Sequence, residues 1–179
     1  IDFLNIQRLF SKNSPSDILL TLGKIIDALD HSLKSSFPQL VRINSFGDTF
    51  FTVGGIFKEN EQSQEHARQS ALFAVDSISI VNGFNRSNRN FDRDGWQVKV
   101  GVCSGGPVAA GLIDLAVPTF SVVGSPVALA VELEKGCTPM CAQMTKSVFE
   151  LAFDGDTLLN KEPSQIMFED RLVETYIVS

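Results

Sequence analysis

The sequence predicts an α+β fold in which helices cover one face of a mainly antiparallel sheet. Apolar residues recur at helical spacing in two long segments, and short runs rich in Val, Ile and Phe lie between them. These segments follow the order strand, helix, hairpin, helix, strand. With 179 residues, the chain can bury one substantial core. We expect a single domain over residues 1–179 and, because the chain begins at Ile1 rather than Met, a piece of a longer protein.

The first long helix is expected to begin after Ser14, where a hydroxyl cap is followed by Pro15 and by an acidic residue in the first turn. Its apolar spacing continues to about Leu33. Apolar runs on both sides of Phe46-Gly47-Asp48 then predict a hairpin. A second helix is expected from about Gln62 to Val81.

The remaining chain predicts one surface loop, two further helices and several short strands. The polar segment 83–94, rich in Asn and Arg, is typical of a loop. Gly124-Ser125-Pro126 predicts the start of a helix that ends near Lys135, before Gly136. A short helix is expected over 145–153, and strands are expected over 98–102, 108–113, 120–123, 166–168 and 174–178.

Composition and charge exclude several function classes. The net charge is −6, from 21 acidic and 15 basic residues, which disfavours nucleic-acid binding because that binding needs basic surfaces to neutralise phosphates. No run of ~18 apolar residues is present, so we expect no membrane contact by this segment. The cysteines Cys103, Cys137 and Cys141 do not have zinc-site spacing, which favours reduced thiols and a cytoplasmic protein.

Several short motifs occur along the chain in a consistent order. Asp2-Phe3-Leu4-Asn5-Ile6 lies thirteen positions before a Pro at a helix start, and Phe46-Gly47-Asp48 lies on the expected hairpin. His66-Ala67 follows on the second helix. The last motifs lie in the second half: Gly101-Val102-Cys103-Ser104-Gly105, Ala110-Gly111 and Gly124-Ser125-Pro126-Val127.

Together these motifs resemble the class III adenylyl and guanylyl cyclase domains over nearly the whole chain. The resemblance implies a ferredoxin-like core of the class III cyclase type and a role in cyclic-nucleotide signalling. Each motif is weak by itself, but their common order is specific. A different register would put Asn5 in place of Asp2, but it breaks the spacing to Pro15, so Asp2 is the better match.

The resemblance implies a site for Mg²⁺ or Mn²⁺ on one side of the domain. Asp2, Asp48 and the carbonyl oxygen of Phe3 would be the metal ligands, which suits cations that prefer a few oxygen ligands from protein. The backbone of Asn5, Ile6, Gln7 and Gly47 would lie along the triphosphate of ATP or GTP. A simpler interpretation is that Asp48 is only a turn residue and Asp2 only a solvated acid.

Four positions depart from the family pattern on the other side of the expected site. Ala128 and Glu132 stand where the family has the Asn that orients the ribose and the Arg that neutralises the α-phosphate. Asn44 and Ser121 stand at the base-selecting positions and commit the site to neither adenine nor guanine.

These departures predict the metal-donating half of a heterodimeric purine nucleotide cyclase. It would convert ATP or GTP into the cyclic nucleotide and pyrophosphate only with a second cyclase-type domain, and a homodimer of this chain would be inactive. The alternative is a non-catalytic pseudo-cyclase domain for dimerisation and regulation. A magnesium phosphotransferase on an unrelated palm-like fold fits less well, because the dimer-helix segment also matches. The resemblance places the domain in the cytoplasm, alone or as the intracellular part of a larger membrane protein.

Overall fold

The computed structural model describes residues 1–4, 6–11, 13–43, 48–56, 63–87, 95–113, 116, 118–153 and 159–179. The helices are α1 (Ile6–Phe10), α2 (Pro15–Ser36), α3 (Ser63–Ser87), α4 (Ser125–Gly136) and α5 (Lys146–Phe153). The strands are β1 (Asp2–Leu4), β2 (Leu40–Ile43), β3 (Phe51–Gly54), β4 (Gln97–Val102), β5 (Ala109–Leu112), β6 (Phe120–Val123), β7 (Cys141–Thr145), β8 (Lys161–Phe168) and β9 (Arg171–Val178).

The strands of the described residues form one large sheet and two hairpins. The large sheet has the order β1-β4-β7-β9-β8, and only β4 and β7 pair in parallel. The hairpins β2–β3 and β5–β6 form separate two-stranded antiparallel sheets. The prediction of an α+β fold with a mainly antiparallel sheet is therefore confirmed.

The two faces of the large sheet carry different helices. Val98, Val100 and Val102 alternate along β4 and are buried in the main core with side chains from α2, α3 and α5. Gly101 faces the other way, because a Cβ atom on it would lie 2.0 Å from the carbonyl oxygen of Ala130 in α4. Helix α4 thus lies directly against the second face of the sheet, which only a residue without a side chain at 101 permits. The prediction that helices cover only one face is therefore wrong, because close packing on Gly101 gives α4 a place on the other face.

Helix α3 is longer at its C-terminal end than the sequence indicates. It continues to Ser87, so the prediction that residues 83–87 belong to a loop is wrong. The side chain of Asn85 accepts a hydrogen bond from the backbone N–H of Trp96 and donates one to its carbonyl, each at 2.8 Å. This tertiary contact stabilises a polar helix end that local patterns do not favour. Residues 88–94 of the predicted loop lie outside the described residues.

Two elements have no counterpart in the sequence prediction. The short helix α1 follows β1. Strand β7 lies in the middle of the large sheet and carries buried polar side chains, of which Gln143 donates a hydrogen bond to the Thr175 hydroxyl at 3.0 Å. Because this strand lacks the usual apolar alternation, its sequence does not identify it.

The described residues contain no helix that could cross a membrane. Helices α2 and α3 have 22 and 25 residues, but no helix here combines the length and the hydropathy of a membrane span.

Candidate functional site

Strand β1 brings Asp2 next to the segment that contains Asp48. On one side Asp2 pairs with Lys99 of β4, and on the other it forms a bridge with Thr49. The backbone N–H of Phe3 donates to the carbonyl of Asp48 at 3.0 Å. The two aspartates, far apart in sequence, are therefore held side by side by backbone hydrogen bonds.

The carboxylates of Asp2 and Asp48 interact electrostatically. Burial raises the pKa of Asp2 above its usual range, and the negative charge of Asp48 raises it further. The hydroxyl of Thr49 donates a hydrogen bond to Oδ1 of Asp2 at 3.2 Å and, with the charge of Lys99, acts in the opposite direction. The pKa of Asp2 stays raised although the charge of Lys99 lowers it, so the nearby positive charge does not fully offset burial and the repulsion between the two carboxylates.

The main chain of Phe3 is oriented toward the same place. Its N–H points to Asp48, and in a strand the N–H and C=O of one residue point to the same side. The Phe3 carbonyl is therefore on the Asp48 side of β1, while its ring is buried in the core. A carbonyl oxygen and two carboxylates form a set of hard oxygen donors.

These donors fit a divalent cation such as Mg²⁺ or Mn²⁺. Such ions bind oxygen ligands and keep several waters, so two carboxylates and a carbonyl are sufficient. A cation would also relieve the repulsion that raises the pKa of Asp2. Within the part of the chain that the structure describes, no three His, Cys, Asp or Glu side chains are grouped as a metal site. The fit therefore depends on Asp2, Asp48 and the main chain.

The expected nucleotide-binding residues are only partly described. Ile6 and Gln7 lie in the first turn of α1, immediately beyond β1, where helix N–H groups have no partner within the helix. Asn5 and Gly47 lie outside the described residues. The same holds for Asn44, the first of the two base-selecting positions.

Ser121, the second base-selecting position, lies on the β5–β6 hairpin, which is not paired with β1. It is in β6, where it pairs with Gly111 of β5 and is half-buried. No described contact links it to Asp2 within this chain.

Helix α4 presents Ala128 and Glu132 on its exposed side. Glu132 forms an ion pair with Lys135 at 2.7 Å, and the two side chains are 48% and 61% exposed. Ala128 is also exposed. This face of the described helix therefore offers an anion and a methyl group, and the anion is paired with Lys135.

Glu134 is a residue near the candidate site that sequence reasoning missed. It lies on the side of α4 that faces the sheet, against Gly101. Its pKa is raised by burial and, secondly, by the charge of Asp2. Thr49 was missed as well, although it follows Asp48 directly. No local pattern distinguishes Glu134 from Glu132, since only the packing of α4 on the sheet decides which of them approaches Asp2.

The sequence of this chain matches a protein-family model and several individual proteins of that family. The model of the family described as "Adenylate and Guanylate cyclase catalytic domain" matches residues 1–178. Guanylate cyclase 2G of Mus musculus is 23% identical over 146 residues, which are 82% of this chain and 13% of that protein. Guanylyl cyclase C of Sus scrofa is 23% identical over 176 residues, which are 98% of this chain and 15% of that protein. The chain thus spans less than a fifth of the length of these relatives.

Solved structures of the same fold cover nearly all of the chain. The guanylate cyclase domain of RhGC from Catenaria anguillulae, in complex with GTP, is 22% identical, with a TM-score of 0.79 over 99% of this chain and 92% of that one. The adenylyl cyclase CyaB from P. aeruginosa is 14% identical, with a TM-score of 0.80 over 99% and 90% of the two chains. The fold is therefore shared across both kinds of cyclase, and the chain belongs to the adenylate and guanylate cyclase catalytic domain family.

Proposed function

We propose that this domain is the metal-donating half of a heterodimeric purine nucleotide cyclase. With a complementary domain it converts ATP or GTP into the cyclic nucleotide and pyrophosphate, and alone it is inactive. The observation that carries the proposal is the contrast between two regions. Asp2 in β1 and Asp48 next to it lie together, whereas the exposed side of α4 carries Ala128 and Glu132.

The proposed metal half acts by position and charge. Asp2, Asp48 and the Phe3 carbonyl would hold Mg²⁺ or Mn²⁺. When bound, such ions lower the pKa of a ribose hydroxyl and stabilise the charge on phosphate oxygens. Thr49 orients the Asp2 carboxylate through its hydrogen bond. The backbone pairing of β1 keeps the donors in place before substrate binds, which favours catalysis by preorganisation.

The side chains of α4 explain why the domain would need a partner. Ala128 has no hydrogen-bonding group for a ribose, and Glu132 would bring a negative charge to a triphosphate. A cation at this kind of position is worth ~10³–10⁵ in rate. A like charge ~4 Å away is repelled by ~4 kcal/mol at intermediate dielectric. A homodimer would therefore repeat the deficiency in both of its sites.

Exposed apolar side chains support association with a second cyclase-type domain. Leu112 at the end of β5, Ile113 directly after it, Val123 of β6 and Val131 of α4 are all exposed. Large apolar groups left exposed on several elements are compatible with a protein interface.

The proposal is tested by mixing this domain with cyclase domains that carry the Asn and Arg absent here. Formation of cyclic AMP or cyclic GMP in the mixture, absent from either domain alone, is the expected result. Asp48→Ala in this chain should abolish it, while Asp27→Ala, on the exposed side of α2, is the matched control and should leave it unchanged. Activity of this chain alone, or activity that survives Asp48→Ala, would contradict the proposal.

A non-catalytic regulatory domain is the second candidate. The Glu132–Lys135 ion pair favours it, since it makes the exposed side of α4 an ordinary solvated surface. The two candidates differ in magnesium-dependent nucleotide binding, which calorimetry measures in the mixed complex. Association with a partner without nucleotide binding, and without an effect of Asp48→Ala, would select the regulatory role. The cytoplasmic location remains a prediction.

A further inference from the structure

Helix α4 brings a third carboxylate to the sheet face that carries Asp2. Lys99 and Gly101 are two residues apart in β4, so both point to the face that α4 covers. Asp2 pairs with Lys99 across the two strands and therefore points to the same face. A Cβ atom on Gly101 would lie 3.0 Å from the Cβ atom of Glu134. The side chains of Asp2 and Glu134 thus enter one layer between the sheet and the helix.

The ammonium group of Lys99 connects this layer to the end of α4. It donates a hydrogen bond to the carbonyl oxygen of Lys135 at 3.1 Å, in the last helical turn, where a cation is favourable. Burial raises the pKa of Glu134 and the charge of Asp2 raises it further, whereas the α-amino group of Ile1 and the charge of Lys99 act in the opposite direction. Glu134 and Lys99 therefore act on Asp2 with opposite charges.

Glu134 is not placed to be a further ligand of a metal ion held by Asp2 and Asp48. All three side chains belong to the described part of the chain, in which no three acidic, His or Cys side chains are grouped as a metal site. Electrostatic interactions extend over longer distances than coordination bonds do. Any effect of Glu134 on a bound cation must therefore come from its charge and from its influence on the Asp2 carboxylate.

The position of Glu134 relative to β1 determines the direction of that influence. Glu134 approaches from the β4 side of Asp2, because it lies against Gly101. Thr49 lies on the opposite side of β1, next to Asp48, and its hydroxyl donates a hydrogen bond to Oδ1 of Asp2 at 3.2 Å. Because like charges repel, Glu134 favours the orientation in which the Asp2 carboxylate points to Thr49 and Asp48. A cation shared by the two aspartates needs this orientation.

We propose that Glu134 is a positioning residue of the divalent-cation site that Asp2 and Asp48 form. Its negative charge directs the Asp2 carboxylate towards Thr49 and strengthens the attraction of the site for a cation. The positive charge of Lys99 opposes this attraction. The inference rests on the proposed metal-donating role, and it gives the inward side of α4 a part in the metal site of its own domain.

The test measures Mn²⁺ binding to the metal-free chain through the electron paramagnetic resonance signal of the free ion. Glu134→Gln should weaken binding by about fivefold, because one unit of charge near a divalent ion changes its affinity on this order at high dielectric. Lys99→Met should strengthen binding by about the same factor, because it removes a cation. Glu150→Gln in α5 and Lys34→Gln in α2 are the matched controls, since both residues are exposed, and they should leave binding unchanged.

The opposite signs expected for the two substitutions separate an electrostatic role from a structural one. Glu134→Asp, which keeps the charge, should retain most of the affinity for Mn²⁺. Weaker binding in both Glu134→Gln and Lys99→Met, or equal weakening by Glu134→Gln and Glu134→Asp, would overturn the proposal. Unchanged binding in Glu134→Gln, with binding lost in Asp48→Ala, would overturn it and leave the metal site standing. If Asp48→Ala binds Mn²⁺ as tightly as the unmodified chain, the metal site and this inference both fail.

Discussion

The candidate metal region at β1 and the exposed side of α4 both have well-ordered backbone structure, but their side chains differ in chemistry. In the first, backbone pairing brings Asp2 and Asp48 together and Thr49 orients a carboxylate. In the second, the helix is regular and closely packed through Gly101, yet its outward side chains are Ala128 and Glu132. Under the proposed function, the scaffold of the cyclase fold is kept, and two side chains of α4 would decide whether this face can assist catalysis.

Introducing the Asn and Arg of the family pattern at positions 128 and 132 of α4 gives the strongest test of this comparison. The double substitution Ala128→Asn with Glu132→Arg should give a homodimer cyclase activity at least ~10³-fold above that of the unmodified chain, because it replaces a repulsive anion with a stabilising cation. Cyclic nucleotide formation with Mg²⁺ or Mn²⁺ is the measurement. The paired control is Ala128→Asn with Glu132→Gln, which removes the anion without adding the cation. An inactive double variant that still binds nucleotide would show that α4 is not the limiting region.

A substitution at Gly101 of β4 should disrupt the packing of α4 on the sheet without changing the exposed side chains of α4. Gly101→Ala should lower the free energy of unfolding by about 3 kcal/mol, because the new Cβ would lie 2.0 Å from the Ala130 carbonyl oxygen and 2.6 Å from the backbone nitrogen of Glu134. Denaturant unfolding measures the change. Gly83→Ala is the control, since a Cβ at Gly83 has no neighbour within 4 Å, and it should be neutral or stabilising. An unchanged stability for Gly101→Ala would mean that α4 is not held this closely.

Asp2→Asn should stabilise the metal-free protein slightly, by about 0.5 kcal/mol at neutral pH. Burial and the charge of Asp48 raise the pKa of Asp2, so its ionised form is disfavoured in the folded state. The difference from the unmodified chain should be present at neutral pH, shrink as the pH falls from the raised pKa of the folded state towards the ordinary pKa of an aspartate, and disappear below that, because Asp2 is then uncharged in both the folded and the unfolded state. Thermal unfolding in EDTA measures it.

The same substitution should have the opposite effect when a cation and nucleotide are present. Added Mg²⁺ and GTP or ATP should raise Tm for the unmodified chain in the mixed complex and have little effect on Asp2→Asn, since ligand binding stabilises the folded state only where the site exists. If both proteins respond equally, Asp2 is not a metal ligand.

The smallest effect is expected on the outer side of α4. Glu132→Gln removes an exposed ion pair with Lys135, so the free energy of unfolding should fall by about 0.3 kcal/mol, and the loss should shrink at high salt. Chemical unfolding at low and high ionic strength measures it. A loss above about 1 kcal/mol would show that Glu132 has a structural role, which would weaken its interpretation as a replaced catalytic position.

Much of the local structure could be predicted because it depends on neighbouring residues. The α2 start is an example: Ser14 accepts a hydrogen bond from the Asp17 N–H at 3.2 Å, as its position before Pro15 indicates. The strand over 98–102 and the start of α4 are also confirmed. By contrast, the end of α3 depends on Asn85 contacting Trp96, and β7 depends on burial of Gln143, neither of which follows a periodic pattern.

By itself the sequence determined the helices and strands with clear apolar spacing, the order of the motifs, and the presence of Ala128 and Glu132 in place of a polar amide and a cation. Only the tertiary structure decided that Asp2 lies beside Asp48 and that Glu134, rather than Glu132, approaches Asp2. The physical reason is the range of the interactions. Caps and periodicity act within a few residues, whereas strand pairing and helix packing join distant segments whose register no local pattern encodes.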